Sequence, residues 1–161
     1  MKVIQVCPTY YPQVSGSAHH VKQISEGIAK KNVEVDVYTT DCRRKYRHDE
    51  NINGVKVTRL FSLAPGNSYF FPPSLLRLLK KANADIIHAH VIHALPLLIA
   101  ALAKNSNNVP LVSTFNFHGR GHTLLRNLLF QPYKRLLGEY ILKKTDLLIC
   151  MSEYEKRMID G

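Results

Sequence analysis

Along this chain of 161 residues the apolar positions switch repeatedly between period two and a period near 3.6, and the switching predicts its elements in order. Val3 to Cys7 is a short apolar, β-branched run stopped by Pro8, a first strand. A Pro-, Ser- and Tyr-rich loop comes next. A helix then runs from about Ser17 to Lys31, with Ala18, Val21, Ile24 and Ile28 on one face and Lys22, Glu26 and Lys30 on another. Val33 to Thr40 is a second strand, and Asp41 to Asn53 reads as a polar, basic loop ending in the turn signal Asn53-Gly54. Val55 to Phe61 alternates again, a third strand. Ser62 to Pro73 is a loop, Ser74 to Lys81 a short basic amphipathic helix, and Asp85 to His90 a fourth strand. The helix after it carries Pro96 in its first turn, where a missing N–H costs little, and Leu97 to Lys104 is apolar on every side, which argues for burial. Pro110 to Phe115 is a fifth strand. The loop Asn116 to His122 leads into a helical region interrupted near Pro132 and ending at Lys144. Asp146 to Met151 is a sixth strand, and Ser152 to Glu155 has the S-x-x-E form that starts a last helix.

Strands that alternate with helices and are nearly continuous in apolar residues imply an α/β fold. The expected form is a doubly wound, mostly parallel sheet of about six strands with helices on both faces. In such a sheet every strand-to-helix loop opens on the carboxyl edge, where ligands bind. That edge collects Tyr10 to Ser17, the 41–53 loop, His88 to His93 and Asn116 to His122, whereas the opposite connections carry nothing obviously chemical.

Composition adds limits. Hydrophobic content of 45% and charged content of 21% suit a soluble globular protein, and the length suits one domain, 1–161. The net charge of +10 favours acidic partners such as a nucleotide, a phosphorylated substrate or an anionic membrane. No nucleic-acid module is recognisable, so no nucleic-acid partner is expected. Arg43-Arg44-Lys45 with Arg47, and Arg77, Lys80 and Lys81 after Tyr69-Phe70-Phe71, read either as ordinary solvated faces or as a surface that docks peripherally on an anionic membrane. Cys7, Cys42 and Cys150 form no C-x-x-C pair; buried free thiols suit a reducing cytosol. There is no signal-peptide pattern, and the longest apolar run, Val91 to Ala103, is too short for a bilayer, so the expected location is cytoplasmic, with peripheral contact at the inner membrane face.

The chemistry begins at the first helix. Gly16 at its start lets a phosphate approach backbone N–H groups, with the helix dipole favouring the anion. Ser15, Gly16 and Ser17 are therefore the candidate phosphate-binding residues. A dinucleotide fingerprint needs three spaced glycines, and Gly16 is the only one before Gly27. His88, His90 and His93 spell H-x-H-x-x-H; without a Cys or paired carboxylate they read as hydrogen-bonded polar groups, and no metal is expected. Of His19 and His20 one must face inward. Asn116 and His118 stand at a strand end aimed at the cleft. No Ser-His-Asp order and no paired carboxylates argue for a hydrolase.

Ser15-Gly16 followed by His20-Val21, then Asp85 to His90 (DIIHAH), then a strand ending in Thr114 before a His-containing loop, then TDLLICMSEYEK, resemble glycosyltransferase family 4 across essentially the whole chain. The resemblance implies a Rossmann-like, N-terminal, acceptor-side domain of a retaining GT-B enzyme whose donor-binding C-terminal domain is absent here. Gly16 falls on the family's Gly-Gly turn, with Ser15 in place of the first Gly. His20 falls on the helix-one His and Ser152 on the Ser after strand six. The family's Thr-x-His becomes Thr114-Phe115-Asn116, so Asn116 or, two residues on, His118 takes the sugar-contacting place.

The same resemblance implies a hexosyltransferase that moves a hexose from a UDP-, GDP- or ADP-sugar to an acceptor hydroxyl with retention, without cofactor or catalytic metal. Asn116 and His118 are its catalytic candidates. Tyr10, His20, His88, His90 and Arg120 are its acceptor-binding or cleft-lining candidates. The acceptor is acidic, a carbohydrate or lipid-linked, and the partner domain is the chain's own C-terminal half, without which the domain is inactive. The alternatives are a stand-alone flavodoxin-like nucleotide-binding or regulatory domain and half of a GT-B epimerase.

Overall fold

The computed structural model describes residues 1–63, 70–92, 94–116 and 134–160. In chain order the elements are β1 (Lys2–Val6), α1 (Gly16–Ala29), β2 (Glu34–Thr40), β3 (Asp49–Ile52), β4 (Val55–Leu60), α2 (Leu75–Lys80), β5 (Ile86–His90), α3 (Leu95–Asn107) and β6 (Leu111–Thr114). A π-helical turn (Lys134–Gly138) then runs into α4 (Glu139–Lys144), followed by β7 (Leu147–Ile149) and α5 (Glu153–Asp160).

Among the described residues seven strands form one sheet in the order β3-β4-β2-β1-β5-β6-β7, parallel except for the β3–β4 pair. The count exceeds the expected six because residues 49–52, expected within a loop, pair with β4. Asp49-Glu50-Asn51-Ile52 has no apolar alternation to betray a strand. Its pairing comes from the Asn53-Gly54 turn, where both residues have positive φ (51° and 85°), the geometry of a tight hairpin. The Asn51 side chain accepts from Gly54 N–H at 3.0 Å and holds that turn. Charge on this strand keeps an exposed edge from pairing with other chains.

Register explains the two faces. Val3 and Gln5 stand opposite Val35 and Val37, and Gln5 stands opposite His88. These positions share one face of the sheet, covered by α1 through Val21, Ile28 and the buried Tyr10. Ile4, Val6, Ile87 and Leu111 point to the other face and pack with Leu79 of α2, Leu97 and Ala100 of α3, and Ile141 of α4. Burial of that many aliphatic side chains, each contributing about 1.5–3 kcal/mol, is the main stabilising term.

Two helix faces differ from the apolar pattern. In α1 the buried positions are Ala18, Val21 and Ser25, with Ile24 only half-buried, because the helix meets the sheet one residue further round. In α3 Pro96 sits in the first turn as expected, but Leu102 is 40% exposed, so the helix is not buried on every side. Of the cysteines only Cys7 is buried, its thiol pushed up to about 12 by burial; Cys42 and Cys150 are half-buried, and no disulfide joins any of the three. The expectation of a buried Cys150 fails because β7 lies at the sheet edge. The helical stretch expected before Pro132 lies outside the described residues.

Candidate functional site

The sheet reverses its winding between β1 and β5: β2 lies on one side of β1 and β5 on the other. At such a switch point the flanking loops diverge and leave a crevice at the carboxyl ends. Ser15 caps α1 there, its Oγ accepting from Ala18 N–H at 3.1 Å. Thr9, Ser15 and Ser17 form a chain of hydroxyl contacts at 3.2 Å each. Ser15 therefore satisfies one of the orphan donors of the helix, whose first amides, of Gly16 and Ser17, have no acceptor within the helix itself. Apart from its chain neighbours and its own helix, no heavy atom of the described residues lies within 4 Å of the place a Cβ on Gly16 would occupy.

Below this turn lies a polar cluster on the α1 face. The rings of His88 and His90 lie 4.1 Å apart, and the His20 ring lies edge-on to His90 at 6.1 Å. His88 Nε2 meets Thr114 Oγ1 at 2.7 Å, and His90 Nε2 meets Gln5 Oε1 at 2.7 Å. An amide oxygen only accepts, so in this arrangement His90 Nε2 carries the proton. Burial holds all three imidazoles below their usual range: His88 falls to about 4, His90 falls well below its ordinary value, and His20 is lowered. His88 and His20 lower His90 further by charge repulsion. The cluster is thus neutral at physiological pH and works through hydrogen bonds, not charge. Gln5 Nε2, His90 Nδ1, His20 Nε2 and Asn116 Nδ2 are buried atoms without a hydrogen-bond partner among the described residues. Among the described residues no group of three or more His, Cys, Asp or Glu is arranged to hold a metal ion.

Two backbone features frame the crevice. Val91, directly after His90, has φ of 70°, and Asn116, beyond β6, has φ of 44°. Asn tolerates this region; a β-branched Val there is strained. The strain is held by Val91 N–H on Thr114 C=O and Ile92 N–H on Phe115 C=O, both at 3.1 Å. On the other flank the Arg59 side chain, 2% exposed, ties two loops together. It donates to Tyr11 C=O at 2.6 Å and to Arg47 C=O at 3.1 Å, and pairs with Glu50.

The expected residues therefore divide. Ser15, Gly16, Ser17 and His20 stand at the start of α1 at the switch point, with the His20 ring against His90, which lies beside His88 on β5, and Asn116 follows β6, the strand beside β5. Tyr10 does not line a cleft: it is 1% exposed and packs with Cys7 and Val21 under α1, because the loop turns its ring inward. His88 and His90, at 6% and 0% exposure, stand behind the crevice wall, not on its surface, since the α1 face covers them. His93, His118 and Arg120 lie outside the described residues. Sequence reasoning missed Gln5 and Arg59. Both interrupt an apolar run at an inward-facing register, Gln5 between Ile4 and Val6, Arg59 in phase with Val55 and Val57, and that was the available signal. Ser152 caps the last helix as expected, accepting from Glu155 N–H at 3.2 Å, while the Glu155 carboxylate accepts from Met151 N–H at 2.7 Å.

Comparison with known proteins bears on this geometry. The chain is 28% identical over 156 residues to an uncharacterized glycosyltransferase of Methanocaldococcus jannaschii, covering 94% of this chain and 41% of that protein. It is 24% identical to alpha-monoglucosyldiacylglycerol synthase of Streptococcus pneumoniae, covering 99% of this chain and 37% of that protein. The chain thus spans about two fifths of the length of these relatives. Its fold is similar to that of sucrose-phosphate synthase from Thermosynechococcus elongatus, with a TM-score of 0.70 at 15% identity, over 99% of this chain and 45% of that one. The profile of Glycosyltransferase Family 4 matches residues 14–161, from the turn before α1 through the last helix. With that extent of match on a GT-B-like sheet, the chain belongs to glycosyltransferase family 4.

Proposed function

We propose that this chain is the N-terminal, acceptor-side domain of a retaining hexosyltransferase that uses a nucleotide-sugar donor, with the reaction completed by a C-terminal domain. The observation that carries the reading is the juxtaposition at the switch point: α1, capped by Ser15, sets His20 edge-on to His90 of the buried, neutral histidine pair on β5. In the proposed site the amides of Gly16 and Ser17 hold diphosphate charge as the leaving group develops it. Asn116, or His118, contacts the transferred hexose. Neutral imidazoles suit the wall behind this site because they add no cation that would compete for the diphosphate.

Two comparisons support a nucleotide-sugar donor. An E. coli trehalose-6-phosphate structure bound with UDP-2-fluoro glucose matches the fold with a TM-score of 0.56, over 98% of this chain and 41% of that one. A HepE structure from Anabaena in complex with UDP matches with a TM-score of 0.52. A second domain is supported by the share of the relatives' length that this chain spans.

The test is calorimetric titration of residues 1–161 and of the whole gene product with UDP-, GDP- and ADP-sugars. Tight binding by the whole product alone, with release of nucleoside diphosphate when acceptor is added, supports the reading. Micromolar binding by residues 1–161 alone overturns it and points to a self-sufficient nucleotide-binding domain.

A further inference from the structure

The β2–β3 loop and the strap after β4 carry none of the residues proposed above for glycosyl transfer. Leu63 and Phe71 exchange both backbone hydrogen bonds, at 3.0 and 2.8 Å, so the two arms of the strap pair as a short antiparallel ribbon. Ribbon geometry sends alternate side chains to opposite faces, and directly opposed residues to the same face. Burial obeys that rule. Ser62 and Pro72 are buried beneath the ribbon, whereas Phe61, Leu63 and Phe71 are 43%, 54% and 43% exposed. Three large apolar side chains thus share one outer face.

The neighbouring charge is predominantly positive. The Arg44 guanidinium lies over the Phe61 ring at 4.8 Å, and Arg43, Lys45 and Arg47 around it are exposed. Of the carboxylates flanking the loop, Asp41 is buried and accepts from the Arg43 and Tyr46 amides at 3.2 and 2.8 Å, exposed Asp49 pairs with His48, and Glu50 pairs with Arg59. A cationic rim around exposed aromatic rings matches a surface that is anionic above and apolar below, which is the chemistry of a bilayer containing acidic lipids. A second copy of this chain would bring another +10 charge against the same rim.

We propose that the face formed by Phe61, Leu63, Phe71 and the Arg43–Arg47 loop docks on anionic lipid membrane, with the aromatic rings at the headgroup boundary. Docking of this kind is independent of the glycosyl-transfer reading. Both the loop and the strap leave the carboxyl ends of strands, β2 and β4, so docking sets the ligand-binding edge of the sheet beside the membrane.

Vesicle co-sedimentation of the purified protein tests it, with phosphatidylcholine alone and phosphatidylcholine mixed with phosphatidylglycerol. Binding is expected only to the mixed vesicles, weakening as salt rises. Replacing Arg44 and Lys45 by Ala lowers the partition coefficient about fivefold for each charge removed. Phe71→Ser, at an exposed position, lowers it several-fold with the circular dichroism spectrum and melting temperature retained. Equal binding to both vesicle types, no binding to either, or binding unchanged in both variants overturns the proposal. So does a dimer in sedimentation analysis that Phe71→Ser dissolves, which would assign the face to self-association.

Discussion

His88 bonds Thr114, Nε2 to Oγ1 at 2.7 Å, although the strand register sets Thr114 opposite His90 and gives His88 Val112. His90 in turn reaches diagonally across β1 to Gln5, which stands opposite His88. The two bonds cross three strands at the switch point and fix both rings. Because one acceptor or donor serves each ring and burial removes water, each imidazole is held neutral.

Neutral burial makes stability depend on pH. His88 titrates near 6.5 when unfolded and at about 4 in the fold, so between these values the unfolded chain binds the extra proton and stability rises with pH. The contribution is fully present above 6.5 and is lost as pH falls toward about 4. At pH 5 the loss from His88 is about 2 kcal/mol, with His90 acting in the same direction. Thermal melts at pH 7 and pH 5 should differ by several degrees in the parent and by less in His88→Gln, which keeps a partner for Thr114 but does not titrate.

Arg59→Met should destabilise the fold by about 2–4 kcal/mol, since two loop carbonyls lose their donor and Glu50 loses its buried partner. Arg59→Lys should recover only part, because a single ammonium cannot span both carbonyls. Guanidinium unfolding gives the stabilities. Amide exchange should speed up around residues 10–13, where Gln13 N–H bonds Tyr10 C=O.

Ser15→Ala should cost about 1 kcal/mol through loss of the helix cap. Ser15→Asp keeps a capping oxygen and suits the helix dipole, so its stability should lie within about 0.5 kcal/mol of the parent. The same carboxylate repels a diphosphate. In the whole gene product Ser15→Asp should therefore weaken nucleotide-sugar affinity more than Ser15→Ala does; the opposite order in calorimetry would remove the diphosphate from this turn.

Val91 offers a backbone test. Its side chain is 5% exposed, so Val91→Ala should cost about 1–2 kcal/mol. Val91→Gly removes still more apolar surface but releases a positive-φ strain of about 1–3 kcal/mol. The Gly variant should consequently be at least as stable as the Ala variant in chemical denaturation, the reverse of the order at an unstrained core site.

The amino-acid order already carries the alternation of strands and helices, the parallel sheet and the carboxyl edge as the place for a site. These rest on local patterns: VEVDVYTT and DIIHAH read as strands, and Ser152 as a cap, wherever they are folded. Motif order likewise carries the family. Tertiary packing alone decided the rest. It made a strand of Asp49–Ile52, whose residues show no strand pattern and pair only because the Asn53-Gly54 turn lays them on β4. It turned Tyr10 into the core, and it placed Gln5, 85 residues from His90 in sequence, against that ring. A side chain's neutral or charged state is set by the atoms brought around it across the sheet, and no sequence spacing records that.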